Sequence, residues 1–201
     1  MEIFEKLEKT KLVPVVVLNS INEIDHVISS LKKGGVPVAE VCYRTSCAGE
    51  AIKIINKKYP NFLLGAGTVI NKAQCLEAIS NGAKFIVSPG FSNEVCDVCK
   101  EKMIPYLPGV VTPTEIMHAL DKGLTYLKFF PAGVFGGLKA LKALSSAFPQ
   151  VKFMPTGGVD NSNLLEFASA KFIFAIGGSW LLKGDIEANC KEANRILKEI
   201  K

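Results

Sequence analysis

Short runs of apolar and β-branched residues alternate along the chain with longer amphipathic segments. The short runs have the length of buried strands, and the longer segments have the character of helices that pack by one face. The predicted strands cover residues 12–18, 36–42, 62–66, 84–87, 104–107, 125–129, 152–154 and 172–176. The predicted helices cover residues 21–33, 47–58, 72–81, 92–101, 113–121, 138–147, 161–168 and 187–200.

Turn-forming residues support these boundaries. Glycine or proline stands at most of the junctions, as at Gly34-Gly35, Gly82, Gly123 and Pro149. Residues that favour the first position of a helix precede three of the predicted helices, namely Asn71, Thr112 and Asp160.

Strands that alternate with helices predict parallel βαβ units. Eight such units favour a compact α/β fold, a (β/α)₈ TIM barrel with short loops, in which residues 1–201 form a single domain. A doubly wound open sheet is the alternative. The residues after the first predicted strand, Leu18-Asn19-Ser20, contain no glycine fingerprint for a dinucleotide, which argues against that alternative.

Composition narrows the class of protein. The chain has 201 residues, of which 48% are hydrophobic, enough for a sizeable core. Its net charge of +5 is scattered rather than gathered in an arginine-rich stripe, so no nucleic-acid partner is expected. No apolar stretch approaches a membrane span, and the charged N-terminus lacks the apolar core of a signal peptide. A cytoplasmic protein without a membrane partner is therefore the expectation.

The six cysteines form no framework typical of a small secreted domain and are expected to be reduced. Cys96 and Cys99 form a CxxC motif within a predicted helix, but there is no second CxxC to complete a zinc site, so coincidence is the favoured interpretation. His26 and His118 are the only histidines, which excludes a three-histidine zinc centre. A carboxylate-bound magnesium remains open.

Lys128 lies in an apolar strand, residues 126–130, that ends at Pro131. Desolvation disfavours an ammonium group and makes a lysine amine nucleophilic toward carbonyls, so this position raises the possibility of Schiff-base chemistry. The alternative is a lysine whose charged head reaches solvent at the end of the strand.

Polar residues gather where the predicted strands end, and barrel enzymes carry their chemistry at those ends. Side chains alternate along a strand, so Glu40 and Arg44 share one face of the second strand. If that face lines the barrel, both project into the same interior as an inward Lys128. A purely structural ion pair between Glu40 and Lys128 or Arg44 is the competing interpretation.

The last two strand ends are rich in glycine. Thr156-Gly157-Gly158 and Gly177-Gly178-Ser179 lie where barrels often bind phosphate, and a helix starting at Ser179-Trp180 would add dipole attraction. Glycine lets backbone N–H groups approach a phosphate closely. The two loops therefore predict a phosphorylated substrate.

Together these motifs resemble the 2-keto-3-deoxy-6-phosphogluconate (KDPG) aldolase family, which is shared with 4-hydroxy-2-oxoglutarate aldolase. The resemblance runs from about Val13 to Trp180. Its joint order and spacing are specific, and it rests on residues 13–15, 40–45, 65–69, 88–90, 128–132, 155–158 and 176–180.

The resemblance implies a class I aldolase on a small barrel, a homotrimer that uses no metal or other cofactor and acts on small 2-keto acids. Lys128 matches the Schiff-base lysine, and Glu40 matches the carboxylate that moves protons. The other matching residues hold the substrate: Arg44 and Thr68 at the pyruvyl carboxylate, Pro89 and Phe130 along the pyruvyl pocket, Thr156 for stereochemical control, and Gly157, Gly158, Gly178 and Ser179 at the phosphate.

Two departures from the family leave the exact sugar acid open. Cys42 stands where related chains often carry threonine, and Gly133-Val134-Phe135 stands where many carry an acidic residue. The expected reaction is cleavage of KDPG to pyruvate and glyceraldehyde 3-phosphate, with 4-hydroxy-2-oxoglutarate as a further candidate substrate that would give pyruvate and glyoxylate.

Three alternatives stand beside this expectation. One is an aldolase of the same family that takes the galactonate epimer. Another is a phosphosugar isomerase or epimerase on a similar barrel, against which the lack of histidines at strand ends argues. The third is a non-catalytic sugar-phosphate binder, against which the presence of Lys128, Glu40 and Arg44 together argues.

Overall fold

The computed structural model describes residues 2–200, which form parallel strands with helices between them. The elements of the first half are α1 (Glu2–Thr10), β1 (Leu12–Val16), α2 (Ile24–Lys33), β2 (Val38–Cys42), α3 (Ala48–Lys58), β3 (Leu63–Gly67), α4 (Lys72–Ser80), β4 (Phe85–Val87) and α5 (Asn93–Glu101). Those of the second half are β5 (Tyr106–Leu107), β6 (Gly109–Val110), α6 (Pro113–Asp121), β7 (Tyr126–Phe129), α7 (Gly137–Ala147), β8 (Lys152–Pro155), α8 (Leu164–Ala168), β9 (Ile176–Gly178) and α9 (Ile186–Leu197). Two 3₁₀ turns, Ile21–Glu23 and Trp180–Leu182, precede α2 and α9.

The strands form two parallel sheets. One has the order β5-β4-β3-β2-β1-β9, and the other has the order β6-β7-β8. Pro108 alone separates β5 from β6, because proline has no N–H to give to a ladder, while its carbonyl still accepts from the Lys128 N–H at 2.9 Å. At the other junction Thr156, just after β8, forms a parallel bridge with Gly177 of β9. The expected α/β fold with a parallel sheet is confirmed.

Burial explains why these segments are strands and helices. All five residues of β1 and all five of β2 are buried, as is typical of parallel strands covered on both faces. In α2 the buried residues are Ile24, Ile28 and Leu31, a single helical face turned toward the sheet. No helix within residues 2–200 has the length and apolar character needed to cross a bilayer.

Helix α1, which was not among the predicted helices, packs at the amino-terminal ends of the strands. Leu7 is fully buried, and the Phe4 ring stacks on Tyr126, the first residue of β7, with 4.2 Å between ring centroids. Phe4 also meets Phe174 edge to face. The opposite, carboxyl-terminal ends of the strands are the ends that carry the polar residues described below.

The last predicted strand begins later in the chain than expected. Residues 172–176 were expected to be a strand, but β9 covers Ile176–Gly178, and Ile173 makes only an isolated bridge with Phe153. Two hydrogen bonds make this bridge, from the Phe153 N–H to the Phe172 carbonyl at 2.8 Å and from the Phe174 N–H to the Phe153 carbonyl at 3.1 Å, and the ladder does not extend beyond it.

Two of the three predicted caps are confirmed. The Asn71 side chain accepts from the Gln74 N–H, and Thr112 caps α6. Asp160 was wrong as a helix cap, because its carboxylate accepts from Ser162 in the preceding turn and α8 starts only at Leu164.

Candidate active site

The structure brings Lys128 of β7 and Glu40 of β2 together in the interior. Lys128 Nζ lies 3.0 Å from Glu40 Oε1, with only 4% and 1% of the two side chains exposed. The predicted inward parity of both residues is confirmed. The alternative in which Lys128 reaches solvent is wrong, because the strand ends too deep in the molecule for the side chain to leave it.

This buried pair is costly to build and leaves one oxygen unused. Moving two charges out of water carries a large desolvation penalty, which mutual attraction offsets only when the remaining polar atoms are also satisfied. Among residues 2–200, Glu40 Oε2 has no hydrogen-bond partner. A structural ion pair does not call for that orphan oxygen, whereas a proton-transferring carboxylate needs an oxygen free for the substrate.

Two glycines of β3 leave room for neighbouring side chains. Gly65 lies opposite Glu40 in the ladder, and a Cβ at Gly65 would collide with the Phe85 ring. Gly67 lies opposite Cys42, and a Cβ there would stand 3.1 Å from Glu40 Cδ and 2.9 Å from Cys42 Sγ. Gly67 is therefore the residue that leaves room for the Glu40 carboxylate in the interior.

Arg44 and Thr68, both predicted to hold a carboxylate, are neighbours at the ends of β2 and β3. Arg44 Nε donates to Thr68 Oγ1 at 3.1 Å, and the Arg44 side chain is exposed. Thr68 has φ 55°, in the left-handed region, which is a strained conformation for a β-branched residue. Such strain clusters at functional sites, where the surroundings hold it in place.

Phe130 and Pro89, predicted to line the pyruvyl pocket, flank Lys128. Lys128 Nζ lies over the Phe130 ring, 5.3 Å from its centroid. The Pro89 carbonyl packs on the backbone of Gly109, where a Cβ would collide with it, and Gly109 pairs with Lys128 in the ladder. Phe130 and Pro89 are both half-buried.

The two glycine loops predicted to bind phosphate lie side by side. Besides the bridge to Thr156, Gly177 lies so near that residue that a Cβ at Gly177 would collide with Thr156 Oγ1. Gly157 and Gly158 have φ 84° and 83°, which favour glycine. A Cβ at Gly157 would lie 3.6 Å from the Phe130 ring, so this loop is continuous with the surroundings of Lys128.

The second loop differs from the expectation in one respect. Ser179 is exposed and begins only the single 3₁₀ turn Trp180–Leu182, not a regular helix. The Trp180 ring packs over Gly178, where a Cβ would collide with it, and its Nε1 donates to Asn161 Oδ1 at 2.9 Å. Trp180 thus fixes the position of the loop.

Cys42 is a part of this site for which the sequence pattern predicted no role. It is fully buried on the same face of β2 as Glu40. Burial, and then the nearby Glu40 carboxylate, raises the pKa of the Cys42 thiol from 9.0 to about 11. The signal in the sequence was the alternation that places residue 42 two positions after residue 40.

Two other features lie outside this site. A cavity of about 800 Å³ beside α1 is lined by Lys6, Lys9, Pro37, Phe62 and Lys84, among others, near the amino-terminal ends of the strands. Neither Lys128 nor Glu40 lines it. Within residues 2–200 no group of three or more His, Cys, Asp or Glu side chains is arranged to hold a metal ion.

Known proteins are similar to this chain in sequence and in fold. The family model for KDPG and KHG aldolase matches residues 3–198. The 2-dehydro-3-deoxy-phosphogluconate aldolase of Haemophilus influenzae is 37% identical over 201 residues, covering 99% of this chain and 95% of the relative.

Two solved structures have the same fold. KDPG aldolase from Legionella pneumophila, with pyruvate captured as a covalent carbinolamine intermediate, has a TM-score of 0.87 and 33% identity, over 99% of this chain and 96% of that one. The KDPG aldolase of Zymomonas mobilis ZM4 with 3-phosphoglycerate has a TM-score of 0.91 and 36% identity, over 98% and 96% of the two chains. The chain belongs to the KDPG and KHG aldolase family, whose members are aldolase lyases.

Proposed function

We propose that the protein is a class I aldolase that cleaves KDPG to pyruvate and glyceraldehyde 3-phosphate, with Lys128 as the Schiff-base lysine and Glu40 as the acid and base. The observation that carries this proposal is the buried contact of 3.0 Å between Lys128 Nζ and Glu40 Oε1. An amine held against a carboxylate in a dry interior can pass its proton to that carboxylate and attack a carbonyl.

Imine formation is the first stage. Lys128 gives a proton to Glu40, and its free amine attacks the C2 ketone of the substrate to form a carbinolamine. Glu40 returns the proton to the departing hydroxyl, and loss of water leaves a protonated imine. The imine draws electrons from the neighbouring carbons, which is the role that a metal ion has in other aldolases.

Carbon–carbon cleavage is the second stage. Glu40, directly or through a water, takes the proton of the C4 hydroxyl, and its unpartnered Oε2 is the oxygen suited to this step. The C3–C4 bond breaks, the aldehyde leaves, and an enamine of pyruvate remains on Lys128. Protonation at C3 and hydrolysis release pyruvate. One carboxylate serves all these transfers when it stays within reach of both the amine and the substrate.

The surrounding residues would fix the substrate. Arg44, together with Thr68, would bind the carboxylate next to the ketone, because a guanidinium pairs with a carboxylate in a planar, bidentate geometry. Phe130 and Pro89 would form walls for the pyruvyl part. Thr156, whose Oγ1 is buried and unpartnered within residues 2–200, would bind a hydroxyl group and so select its stereochemistry.

The phosphate would lie between the two glycine loops. Gly157, Gly158 and Gly178 would offer backbone N–H groups, and Ser179 would offer its hydroxyl. The position of Gly157 beside the Phe130 ring supports this location, because Lys128 Nζ lies over the same ring. The related enzyme of Zymomonas mobilis was solved with 3-phosphoglycerate, a ligand that carries a phosphate group.

We also propose that the two sheets are arcs of one closed (β/α)₈ barrel in a single domain. Counting β5 and β6 as one strand broken at Pro108 gives eight strands, and the bridge between Thr156 and Gly177 joins the other two edges. The contact between Glu40 of β2 and Lys128 of β7 supports closure, because these strands belong to different sheets and meet across the interior.

A homotrimer and a cytoplasmic location, which the family resemblance implies, belong to the same proposal. Apolar side chains such as Ile70 and Met117, 58% and 57% exposed, offer surface that an assembly would bury. The free thiols of all six cysteines agree with a reducing compartment.

Borohydride trapping tests the chemistry directly. The protein is incubated with pyruvate, reduced with borohydride, weighed intact by mass spectrometry and digested. We expect one trapped pyruvyl adduct, located on Lys128 and absent from the Lys128→Ala variant. Lys11→Arg is the matched control, since Lys11 is a partly buried lysine outside the site, and burial lowers its pKa. An adduct that survives in Lys128→Ala, or none on the wild type, would rule out the assignment.

A second arm of the same experiment addresses the substrate. Cleavage rates are compared for KDPG, its galactonate epimer and unphosphorylated 4-hydroxy-2-oxoglutarate. We expect KDPG to be cleaved fastest, because only the phosphorylated substrates use the glycine loops and only one epimer suits the hydroxyl of Thr156. Equal rates for phosphorylated and unphosphorylated substrates would contradict the proposed phosphate site and would leave the Schiff-base assignment unaffected.

A further inference from the structure

One cysteine of the CxxC motif, Cys99, is paired with Cys75, and the proposed aldolase chemistry uses neither thiol. Cys96 and Cys99 lie on α5 and are 3% and 1% exposed, and Cys75 lies on the adjacent α4 and is fully buried. Cys75 Sγ is 3.6 Å from Cys99 Sγ. The partner of Cys99 is therefore a cysteine on another helix, 24 positions earlier in the chain, and not the second cysteine of its own motif.

A small cavity on the Cys99 side of this pair has room for small solutes. Its volume is about 190 Å³, and it is lined by Cys96, Cys99, Lys100, Tyr106 and Lys122 among others. That volume is several times the roughly 30 Å³ that one water molecule takes up in the liquid. Cys99 is among the residues that line the cavity and Cys75 is not, so a hydroperoxide of the size of hydrogen peroxide would approach the pair from the Cys99 side.

The two thiols are also electronically unequal. A hydrogen bond with Cys99 lowers the pKa of the Cys75 thiol, and the same bond raises the pKa of the Cys99 thiol, as does burial. The lowered pKa suits Cys75 to the second step below, and the shared hydrogen bond lets the Cys99 proton pass toward Cys75 when Cys99 reacts first. A thiolate is the form of cysteine that attacks an oxidised sulfur.

We propose that Cys75 and Cys99 form an oxidisable dithiol that takes hydroperoxides as its reactant, and that its product is a disulfide between α4 and α5. Cys99 lies on the cavity and is oxidised first. Cys75 lies behind it, within 3.6 Å, and resolves the oxidised sulfur.

The chemistry balances in two steps. The Cys99 sulfur attacks one peroxide oxygen, the O–O bond breaks, and Cys99 becomes a sulfenic acid while one water leaves. The Cys75 sulfur then attacks the Cys99 sulfur, the S–O bond breaks, and a second water leaves. Two thiols lose two electrons and two protons, and the peroxide is reduced to two waters.

The disulfide would connect two parts of the active site. Helix α4 begins four residues after Thr68, and α5 begins four residues after Pro89. Both residues belong to the proposed pyruvyl site. The link would therefore hold two loops of that site at a fixed separation.

Peptide mapping of the intact chain tests the proposal. The folded protein is treated with hydrogen peroxide, unfolded, blocked with N-ethylmaleimide, and digested with trypsin and a protease that cleaves before aspartate. Cleavage before Asp97 is essential, since Cys96 and Cys99 otherwise share the tryptic peptide 85–100. Before blocking we expect an intact mass lower by about 2 Da, and after digestion a peptide linked through Cys75 and Cys99, both reversed by dithiothreitol.

Three variants separate this result from general oxidation. Cys96→Ala should keep the Cys75–Cys99 link, Cys75→Ala should abolish it, and Cys190→Ala, at a buried thiol on α9, should leave it unchanged. A Cys96–Cys99 link, irreversible oxidation without a link, or the same link forming only in urea-unfolded protein would overturn the proposal. If Cys75→Ala fails to fold, the wild-type map decides alone.

Discussion

At the scale of single residues, the position of the Glu40 carboxylate depends on the missing side chain at Gly67. A Cβ at residue 67 would stand 3.1 Å from Glu40 Cδ and 2.9 Å from Cys42 Sγ, so Glu40 would have to move by a few tenths of an ångström. Small displacements of a catalytic group are expensive in rate. For Gly67→Ala we expect kcat to fall by roughly tenfold or more, with KM nearly unchanged, in a steady-state cleavage assay.

The control for this substitution is Gly90→Ala, where a Cβ would meet nothing within 4 Å. That variant should keep the wild-type kcat. In the Gly67→Ala background, Cys42→Ala removes one of the two clashes and should restore part of the rate. Full activity in Gly67→Ala would show that Glu40 tolerates the displacement and that its exact position is not limiting.

The sequence predicted part of this site and missed the rest for identifiable reasons. Alternation along β2 predicts that Glu40 faces inward, because parity is a local property of any strand. The left-handed conformation of Thr68 runs against the preference of a β-branched residue, so no local rule predicts it. The contact between Cys75 and Cys99 depends on how two helices pack, which a single sequence does not reveal.

At the scale of helices and strands, the sequence predicted the start of a helix correctly where a neighbouring side chain caps it. Thr112 and Glu115 form a capping box at the start of α6: the Thr112 hydroxyl accepts from the Glu115 N–H, and Glu115 Oε2 accepts from the Thr112 N–H at 2.8 Å. Strand β9 was misplaced because Ile173 and Phe174 are buried and apolar like strand residues, although the segment makes only one isolated bridge, to Phe153.

The capping box gives a prediction for stability. Thr112→Ala removes the hydroxyl that satisfies the Glu115 N–H, and loss of such a cap costs about 1 kcal/mol. We expect the free energy of unfolding in urea to fall by about that amount. Thr114→Ala, at the exposed second position of the same helix, should change it little. An equal loss in both variants would mean that replacing any threonine in this turn, and not loss of the cap, is responsible.

At the scale of the whole molecule, buried thiols link stability to alkaline pH. Burial raises the pKa of Cys190 on α9 from 9.0 to about 11, and burial together with Glu40 does the same for Cys42. In the unfolded chain both thiols ionise at their ordinary pKa. Between pH 9 and 11 the unfolded state therefore releases protons that the folded state keeps, so the free energy of unfolding falls as the pH rises.

The expected loss is about 2–3 kcal/mol for each of these thiols across that range, since one pKa unit corresponds to about 1.4 kcal/mol. Reversible urea unfolding under reducing conditions, measured at steps from pH 8 to pH 11, gives the slope.

Cys190→Ala should be less stable than the wild type near neutral pH, because a buried sulfur is lost, and should then lose about 2–3 kcal/mol less on going to pH 11. In 1 M salt the difference between the two proteins should persist, because screening acts on surface charges and not on proton uptake by a buried thiol. A Cys190→Ala variant with the wild-type slope would show that repulsion among surface charges, and not the buried thiols, drives alkaline unfolding.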